Sequence, residues 1–152
     1  MIQVDIELLK KLRNETSASI ADCRKALEET NNDYSKAIDW LKKRGLEKAA
    51  KKADRETSQG LIETYVHNGR IGVLVELLCE TDFVAKTDEF KHLAREVAMQ
   101  ISAMNPETVD LLLQEEYIRD TSQTIDQLIK SVIGKLGENI TIKRFKRFEL
   151  GN

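Results

Sequence analysis

The composition is that of a folded globular protein: 152 residues, 41% hydrophobic and 33% charged, with one proline and a formal net charge of −2. This length suits one ordinary domain, or a small domain joined to a larger one, and the apolar content excludes disorder along the whole chain. No apolar run approaches the roughly 20 residues that a membrane helix needs. The acidic Asp5 and Glu7 follow the start so closely that no signal peptide is predicted. We therefore expect a cytoplasmic protein with no membrane partner.

The charges and the cysteines exclude two further classes of protein. The first 56 residues carry 13 basic and 11 acidic side chains, and the remainder carries 11 basic and 15 acidic ones. This overall acidity argues against a protein that coats nucleic acid. Cys23 and Cys79 lie too far apart for a redox pair or a zinc ribbon, so we expect two free thiols and no metal site.

Three short helices are predicted over residues 1–45. Asp5 has the chemistry of an N-cap for the first helix. The second is expected over residues 20–29, and the turn before it, Thr16-Ser17-Ala18-Ser19, offers hydroxyls that can cap it. Asp33 is expected to cap the third, whose apolar side chains recur with a helical spacing. Gly45 is expected to end that helix, because glycine adopts the left-handed conformation of a C-terminal cap without strain. Three such helices make a minimal bundle.

Residues 46–56 are predicted to form a linker helix. They are rich in lysine and alanine, which favour helices, but they offer only a thin apolar face. Their charges are expected to be solvated. The chain is thereby divided into a helical domain at 1–45, the linker helix at 46–56 and a core domain at 57–152.

A β-hairpin is predicted after Gly60, where the hydrophobic period changes from 3.6 to 2. Ile62, Thr64 and Val66 alternate with more polar neighbours. Asn68-Gly69 is a strong hairpin signal, because both turn positions need a positive φ. The return strand, residues 71–79, places its odd-numbered residues on one apolar face.

The rest of the chain predicts three helices and a final strand. The helices are expected over residues 87–104, 109–114 and 121–136, and the strand over residues 140–145. The fold class is therefore α+β, with an antiparallel three-stranded sheet in the order β-β-α-α-α-β and helices on one face. The other face of that sheet is exposed and needs a cover.

No catalytic or cofactor-binding constellation is found. His67 and His92 belong to no metal or nucleophile motif and are interpreted as surface residues. Gly134-Lys135 only superficially suggests a phosphate loop, since Leu136 stands where that loop needs a hydroxyl. We expect a non-enzymatic protein without a cofactor.

Residues 81–86 allow two interpretations. Thr81 is suited to cap a helix, and Asp82 would lie favourably in its first turn. Phe83 is then either an ordinary core residue or an aromatic anchor for the pocket of a partner. The residue type alone favours the core, because most phenylalanines are buried.

Four regions of the chain resemble the elongation factor Ts family. Cys79-Glu80-Thr81-Asp82-Phe83-Val84-Ala85-Lys86 is similar to the signature segment of that family. Similar motifs occur at Leu8 to Arg13 with Asp22 to Leu27, at Asn32 to Ala53, and at Gly137-Glu138-Asn139-Ile140 with Arg144-Phe145. They occur in the family's order over residues 8–145. One departure is Ser17-Ala18-Ser19, where the family usually has Gly-Ala-Gly, which stiffens that loop.

The resemblance implies an exchange factor that binds elongation factor Tu in its GDP-bound and nucleotide-free forms. It implies that Phe83 enters an apolar pocket of the GTPase, that Asp82 disturbs the bound Mg²⁺ and the phosphate loop, and that Thr81 and Val84 flank them. It also implies that the N-terminal domain is similar to ubiquitin-associated domains and touches the GTPase. The family positions that make this second contact are matched by Lys10, Arg13, Ile20 and Arg24.

The resemblance is to the short members of the family. Longer members carry a second core half and a coiled-coil hairpin, and this chain matches neither. By the same resemblance, two copies are expected to pair through their sheets as a homodimer. The exposed sheet face inferred above points to the same pairing.

Two alternatives remain at this stage. One is a nucleic-acid-binding module that uses Lys143, Arg144, Lys146 and Arg147 with Phe145 and Phe148 as stacking groups. The overall acidity counts against it. The other is an adaptor that binds ubiquitin through residues 1–45, which leaves the segment at 79–86 without an explanation.

Overall fold

The computed structural model describes residues 2–152 and has an α+β fold. Helices occupy the N-terminal third, and an antiparallel sheet with its covering helices occupies the remainder. The elements in chain order are α1 (Ile6–Thr16), α2 (Ile20–Glu29), α3 (Tyr34–Lys52), β1 (Gln59–His67), β2 (Ile71–Cys79), α4 (Asp82–Ala85), α5 (Asp88–Met104), α6 (Val109–Gln114), β3 (Glu116–Tyr117), β4 (Asp120–Thr124), α7 (Ile125–Leu136) and β5 (Thr141–Glu149).

The first two helices begin at the predicted capping residues. The Asp5 carboxylate accepts hydrogen bonds from the backbone N–H groups of Glu7 and Leu8 at 2.9 and 3.2 Å. The Ser19 hydroxyl accepts one from the N–H of Asp22 at 3.1 Å, which stabilises the start of α2. The three N-terminal helices enclose their own small core of Leu12, Cys23, Ala26, Leu27, Ala37 and Leu41. The likeness of this unit to ubiquitin-associated domains stays a prediction.

The prediction that Gly45 ends the third helix is wrong. Helix α3 continues to Lys52, so residues 46–52 form its last two turns and not a separate linker helix. The cause lies in the crossing of α3 and α7: a Cβ atom on Gly134 would sit 3.0 Å from the Gly45 Cα. Ala49, one turn further along, is buried in a second and larger core, which the sheet and the later helices form. This burial and the helix-favouring composition outweigh the roughly 1 kcal/mol that a glycine costs inside a helix.

The sheet has the order β1-β2-β5, with both pairings antiparallel. Residues 68–70 join β1 to β2, and Asn68 and Gly69 have φ values of 50° and 66°, as the turn signal predicted. The odd-numbered residues of β2 from Val73 to Cys79 are buried, which confirms the predicted apolar face. Strand β5 runs to Glu149, four residues beyond its predicted end at 145.

The inner face of the sheet is covered mainly by α5, and α7 packs against α5 and α3. Helices α5 and α7 together supply most of the larger core. Helix α5 is capped by Thr87 at its start and by Asn105 at its end. Asn105 has a left-handed backbone and terminates the helix near the predicted position. The buried apolar residues of these two helices are Phe90, Leu93, Ala94, Val97, Ala98, Ile101, Ile125, Ile129, Val132 and Ile133. Their burial fixes the sheet, and therefore fixes the loops at its ends.

The helix predicted over residues 121–136 begins four residues late, at Ile125. Residues 120–124 instead form β4, which pairs with β3 in a two-stranded sheet. A buried polar side chain on α5 holds this hairpin: Gln100 accepts a hydrogen bond from the Ile118 N–H at 3.0 Å and donates one to the Glu116 carbonyl at 3.0 Å. Those contacts join residues 16 and 18 positions apart. The local period therefore gave no sign of them.

The outer face of the three-stranded sheet, which we call the outer sheet face, is open in the single chain. Its exposed apolar side chains are Ile62, Val66, Leu74 and Phe148. They lie beside Arg144 and Lys146, and Arg144 forms an ion pair with Glu76 at 3.0 Å.

Over residues 2–152, no helix combines the length and the apolar character that crossing a membrane requires.

Candidate partner-binding site

Residues 79–86, the signature segment, form a tight connection between the sheet and α5. Strand β2 ends at Cys79, and the single turn of α4 begins at Asp82 after an extended Thr81. The Thr81 hydroxyl caps this turn by accepting a hydrogen bond from the Val84 N–H at 3.4 Å. Ala85 is buried and Val84 packs on the larger core, so these two residues fasten the turn from below.

Phe83 points away from the core and is 87% exposed. The interpretation of Phe83 as a core residue is therefore wrong. The apolar contacts that hold α4 come from the two residues that follow it, so the turn does not need the ring of Phe83. A nearly bare aromatic ring on a fixed turn is the kind of group that a partner's pocket can bind.

Asp82 lies beside Phe83 and also faces solvent. Its carboxylate forms an ion pair with the Lys86 ammonium at 2.8 Å, one helical turn away. The hydrogen bond from Lys86 to Asp82 holds the pKa of Lys86 above its usual value. Since both side chains are largely exposed, this pair stabilises the fold little. The Asp82 carboxylate therefore remains free to exchange Lys86 for another partner.

The segment is held from the opposite side by the loop that follows α7. Both carboxylate oxygens of Glu138 accept hydrogen bonds from Thr81, one from its N–H at 2.9 Å and one from its hydroxyl at 2.7 Å. The neighbouring residues bond in the reverse sense, since the Glu80 carboxylate accepts from the Asn139 N–H at 2.8 Å. Two dipeptides, at 80–81 and 138–139, thus bind each other through four residues.

Asn139 extends this contact to the end of α3. Its carboxamide is buried and donates to the carbonyls of Ala53 and Arg55 at 3.3 and 2.9 Å. The Arg55 guanidinium also lies 3.6 Å from the Glu80 carboxylate. The last residues of the helical unit, the signature segment and the α7–β5 loop therefore share one polar cluster.

The buried thiol of Cys79 also contacts this cluster. Burial, with a smaller contribution from the negative charge of Glu138, raises the pKa of Cys79 to about 11. The thiol is consequently protonated at neutral pH and donates to the Thr81 carbonyl at 3.1 Å. Cys23 is likewise a buried free thiol, as predicted. Among residues 2–152 no group of histidine, cysteine and carboxylate side chains could hold a metal ion.

The N-terminal candidates lie on α1 and α2. Ile20, the first residue of α2, is 52% exposed, and Arg24 follows one turn later on the same face. Lys10 and Arg13 are exposed on α1. Lys10 pairs with Glu7 at 3.1 Å and Arg24 with Glu28 at 2.9 Å, in both cases within one helix. All four side chains are therefore accessible, in a different part of the fold from α4.

The basic and aromatic residues of β5 do not form one surface. Arg147 points inward and donates to the Ser102 carbonyl at the end of α5, at 3.2 and 3.0 Å. Phe145 also packs against the larger core, and among the two predicted stacking groups only Phe148 faces outward. The arrangement expected of a nucleic-acid-binding module is therefore split between the two faces of the sheet.

Glu138 and Asn139 have no role predicted from the sequence, although both belong to a motif that resembles the family. Both follow the glycine that ends α7, where a carboxylate and a carboxamide usually face solvent. Their partners lie 57 to 86 residues away. The one signal in the sequence is their place in a motif shared with the family.

Two family models match this chain. The model described as elongation factor TS covers residues 80–152, and the model described as elongation factor Ts, mitochondrial, N-terminal, covers residues 1–52. A curated relative from Oleidesulfovibrio alaskensis, named Elongation factor Ts, is 42% identical over an alignment that includes 99% of this chain and all of the relative. The chain belongs to the elongation factor Ts family. That membership places it among the translation elongation factors.

Other members of the family differ from this chain in length. The Elongation factor Ts of a Thermoanaerobacter species is 41% identical, with 97% of this chain and 95% of the relative aligned. That of a Nostoc species is 45% identical, but this chain covers only 48% of it. The alignment to the Oleidesulfovibrio relative has 197 positions and this chain has 152 residues, so at least 45 of those positions have no counterpart here.

Proposed function

We propose that this chain is a guanine-nucleotide exchange factor that binds elongation factor Tu and promotes the release of GDP. It forms no covalent bond to a substrate and acts by binding alone. The observation that carries the proposal is Phe83, which is 87% exposed on a fastened turn inside a segment matched by the family. We also infer that the protein works in the cytoplasm, where translation takes place.

Phe83 supplies the apolar part of the contact. Burying a phenylalanine ring in a preformed pocket contributes about 1.5–3 kcal/mol of binding free energy. The ring has only two side-chain torsions to immobilise, and the backbone beneath it is already fixed by Val84, Ala85 and the Thr81 cap. Most of the energy of burial is then available for binding.

Asp82 supplies the electrostatic part. It sits next to Phe83, so a ring buried beside the nucleotide brings a carboxylate close to the phosphates. Magnesium and backbone amides stabilise the charge of GDP on the GTPase, and a nearby carboxylate competes for both. GDP binding is weakened in consequence. By thermodynamic linkage, GDP weakens the binding of this chain by the same factor.

The N-terminal helices provide the second contact. Ile20 gives it an exposed apolar group, and the exposed Lys10, Arg13 and Arg24 add positive charge on α1 and α2. Charges at the rim of an interface mainly raise the association rate and its dependence on salt. Truncating one of these three side chains is therefore expected to slow association more than it changes the maximal exchange rate.

The same proposal includes pairing of two copies through the outer sheet face. Ile62, Val66, Leu74 and Phe148 are exposed on it in the single chain, and water contact with such a row of side chains is unfavourable. A two-fold axis through this face would bury each of these side chains against the same set in the second copy.

Release of a fluorescent GDP from elongation factor Tu tests the proposed exchange. The wild-type chain should accelerate release strongly, and Phe83→Ala should remove most of the acceleration because it deletes the group that enters the pocket. Leu111→Ala is the matched control, since Leu111 is an exposed apolar residue of α6. If the wild-type chain leaves the release rate unchanged, the proposed function is wrong. If Phe83→Ala and Leu111→Ala both behave like the wild type, exchange stands but Phe83 does not drive it.

A further inference from the structure

We propose that Glu138 is the positioning residue for the signature segment. Its carboxylate would fix the direction in which Asp82 and Phe83 are presented, while making no contact with the partner itself. This inference rests on the proposed exchange function and adds to it a residue outside the signature segment. The geometry that carries it is the two-point contact between the Glu138 carboxylate and Thr81, at 2.9 and 2.7 Å.

A two-point contact restrains more than a single hydrogen bond can. The bond to the Thr81 N–H fixes the backbone entering α4, and the bond to the hydroxyl fixes the side-chain torsion of Thr81. That torsion also decides where the hydroxyl accepts the Val84 N–H, which is the cap of the turn. Hydrogen bonds to a carboxylate are about twice as strong as bonds between neutral groups. The orientation of α4 is thus set largely by one side chain of the α7–β5 loop.

The packing beneath α4 cannot replace this contact. Helix α4 has four residues and therefore cannot rely on a regular ladder of intrahelical bonds. Its two core contacts, Val84 and Ala85, lie after Phe83, so they fasten the later half of the turn. The earlier half, which carries Asp82, is fastened by Thr81, and Thr81 is in turn held by Glu138.

The supporting loop is itself rigid, as a positioning device requires. Gly137, with φ at 77°, ends α7 and directs the chain toward β5. Asn139 then bonds to Ala53, Arg55 and Glu80, so the residue after Glu138 is fixed on three sides. A displacement of Glu138 would have to disturb the end of α3 as well. The arrangement therefore transmits the position of the α7–β5 loop to the signature segment.

The experiment compares four full-length single variants and one double variant in release of fluorescent GDP from elongation factor Tu. Glu138→Ala removes the contact, and Glu138→Gln keeps its shape and can still accept the Thr81 N–H. Gln127→Ala is the control for lost stability, since Gln127 accepts a backbone hydrogen bond at the other end of the same α7. Phe83→Ala provides a background in which presentation of the ring no longer matters.

At a saturating concentration of the exchange factor, Glu138→Ala should lower the maximal release rate about tenfold. This effect is close to the free-energy cost of ordering the backbone of one residue on binding. Glu138→Gln should recover most of the loss, and Gln127→Ala should match the wild type. In the Phe83→Ala background, Glu138→Ala should change the rate by less than about twofold, because coupled residues are not additive. Amide hydrogen exchange should show faster exchange of the Thr81 N–H in Glu138→Ala only.

Equal losses from Glu138→Ala in both backgrounds would overturn the inference, because they would show a general structural role. An unchanged release rate in Glu138→Ala, or a loss of the same size in Gln127→Ala, would overturn it too. These outcomes all require a wild-type chain that accelerates release. A wild-type chain without that activity refutes the exchange function itself, so the two failures are distinguishable.

Discussion

Replacing Gly134 by alanine probes the closest approach of α7 to α3. A Cβ atom at this position would lie 3.0 Å from the Cα atom and 3.2 Å from the carbonyl oxygen of Gly45, both of them backbone atoms of the facing helix. These atoms cannot swing aside as the end of a side chain can. The helices must therefore move apart by several tenths of an ångström, and overpacking of this kind costs about 1–3 kcal/mol.

Gly45 provides a matched comparison, since a Cβ atom there would meet nothing within 4 Å. Alanine is favoured over glycine inside a helix by about 1 kcal/mol at either position. We therefore expect Gly45→Ala to raise the free energy of unfolding by about 0.5–1 kcal/mol, and Gly134→Ala to lower it by up to about 2 kcal/mol once overpacking is set against helix propensity. The two glycines have opposite signs because only one of them faces a backbone.

Urea unfolding followed by far-ultraviolet circular dichroism measures both changes. The slope of the transition should stay constant in both variants, so that a shift of the midpoint reports stability alone. If Gly134→Ala proves as stabilising as Gly45→Ala, the helices do not approach each other as closely as described. The explanation for the continuation of α3 through Gly45 would then fail with it.

Three further predictions concern the loop before α2, the buried thiol and the outer sheet face. Ser17 has a left-handed backbone with φ at 55°, so Ser17→Gly should raise the midpoint of urea unfolding by the equivalent of about 1 kcal/mol; an unchanged midpoint would mean that the serine is not strained there. Cys79 has an ordinary pKa of 9.0 when unfolded and one of about 11 when folded, so only the unfolded thiol ionises between these values. The free energy of unfolding should therefore fall by about 1.4 kcal/mol per pH unit from pH 9 to 11 relative to that of Cys79→Ala. The same pH dependence of this free energy in the two proteins would contradict the prediction. Phe148 is 75% exposed on the outer sheet face, so Phe148→Asp should give a monomer by sedimentation velocity under conditions where the wild-type chain is a dimer; a wild-type monomer, or a variant that still pairs, would rule that face out.

The predictions that the structure confirms concern features formed by residues close to one another in the chain. The caps at Asp5, Ser19 and Asp33 each bond to backbone groups two or three positions away. The Asn68-Gly69 turn needs only its own two positive φ values. The stripe of α5 and the alternation of β2 follow directly from their periods, and both are buried as expected.

The predictions that failed depended on partners distant in the chain. Gly45 has every local property of a helix end, but α7 crosses it and the buried Ala49 extends the helix. The sequence predicts a helix for residues 121–124, because nothing nearby in the chain shows that Gln100 holds the β3–β4 hairpin.

The sequence by itself determined the family, the α+β class, the capped helices and the hairpin, since each of these is written in short motifs or in a regular period. Only the tertiary structure decided which way Phe83 points and what holds it there. Exposure is a property of the whole fold: Val84 and Ala85 fill the space beneath α4 and leave the ring outside. The contact of Glu138 with Thr81 spans 57 residues, so it forms only after the sheet and α7 have brought the two loops together.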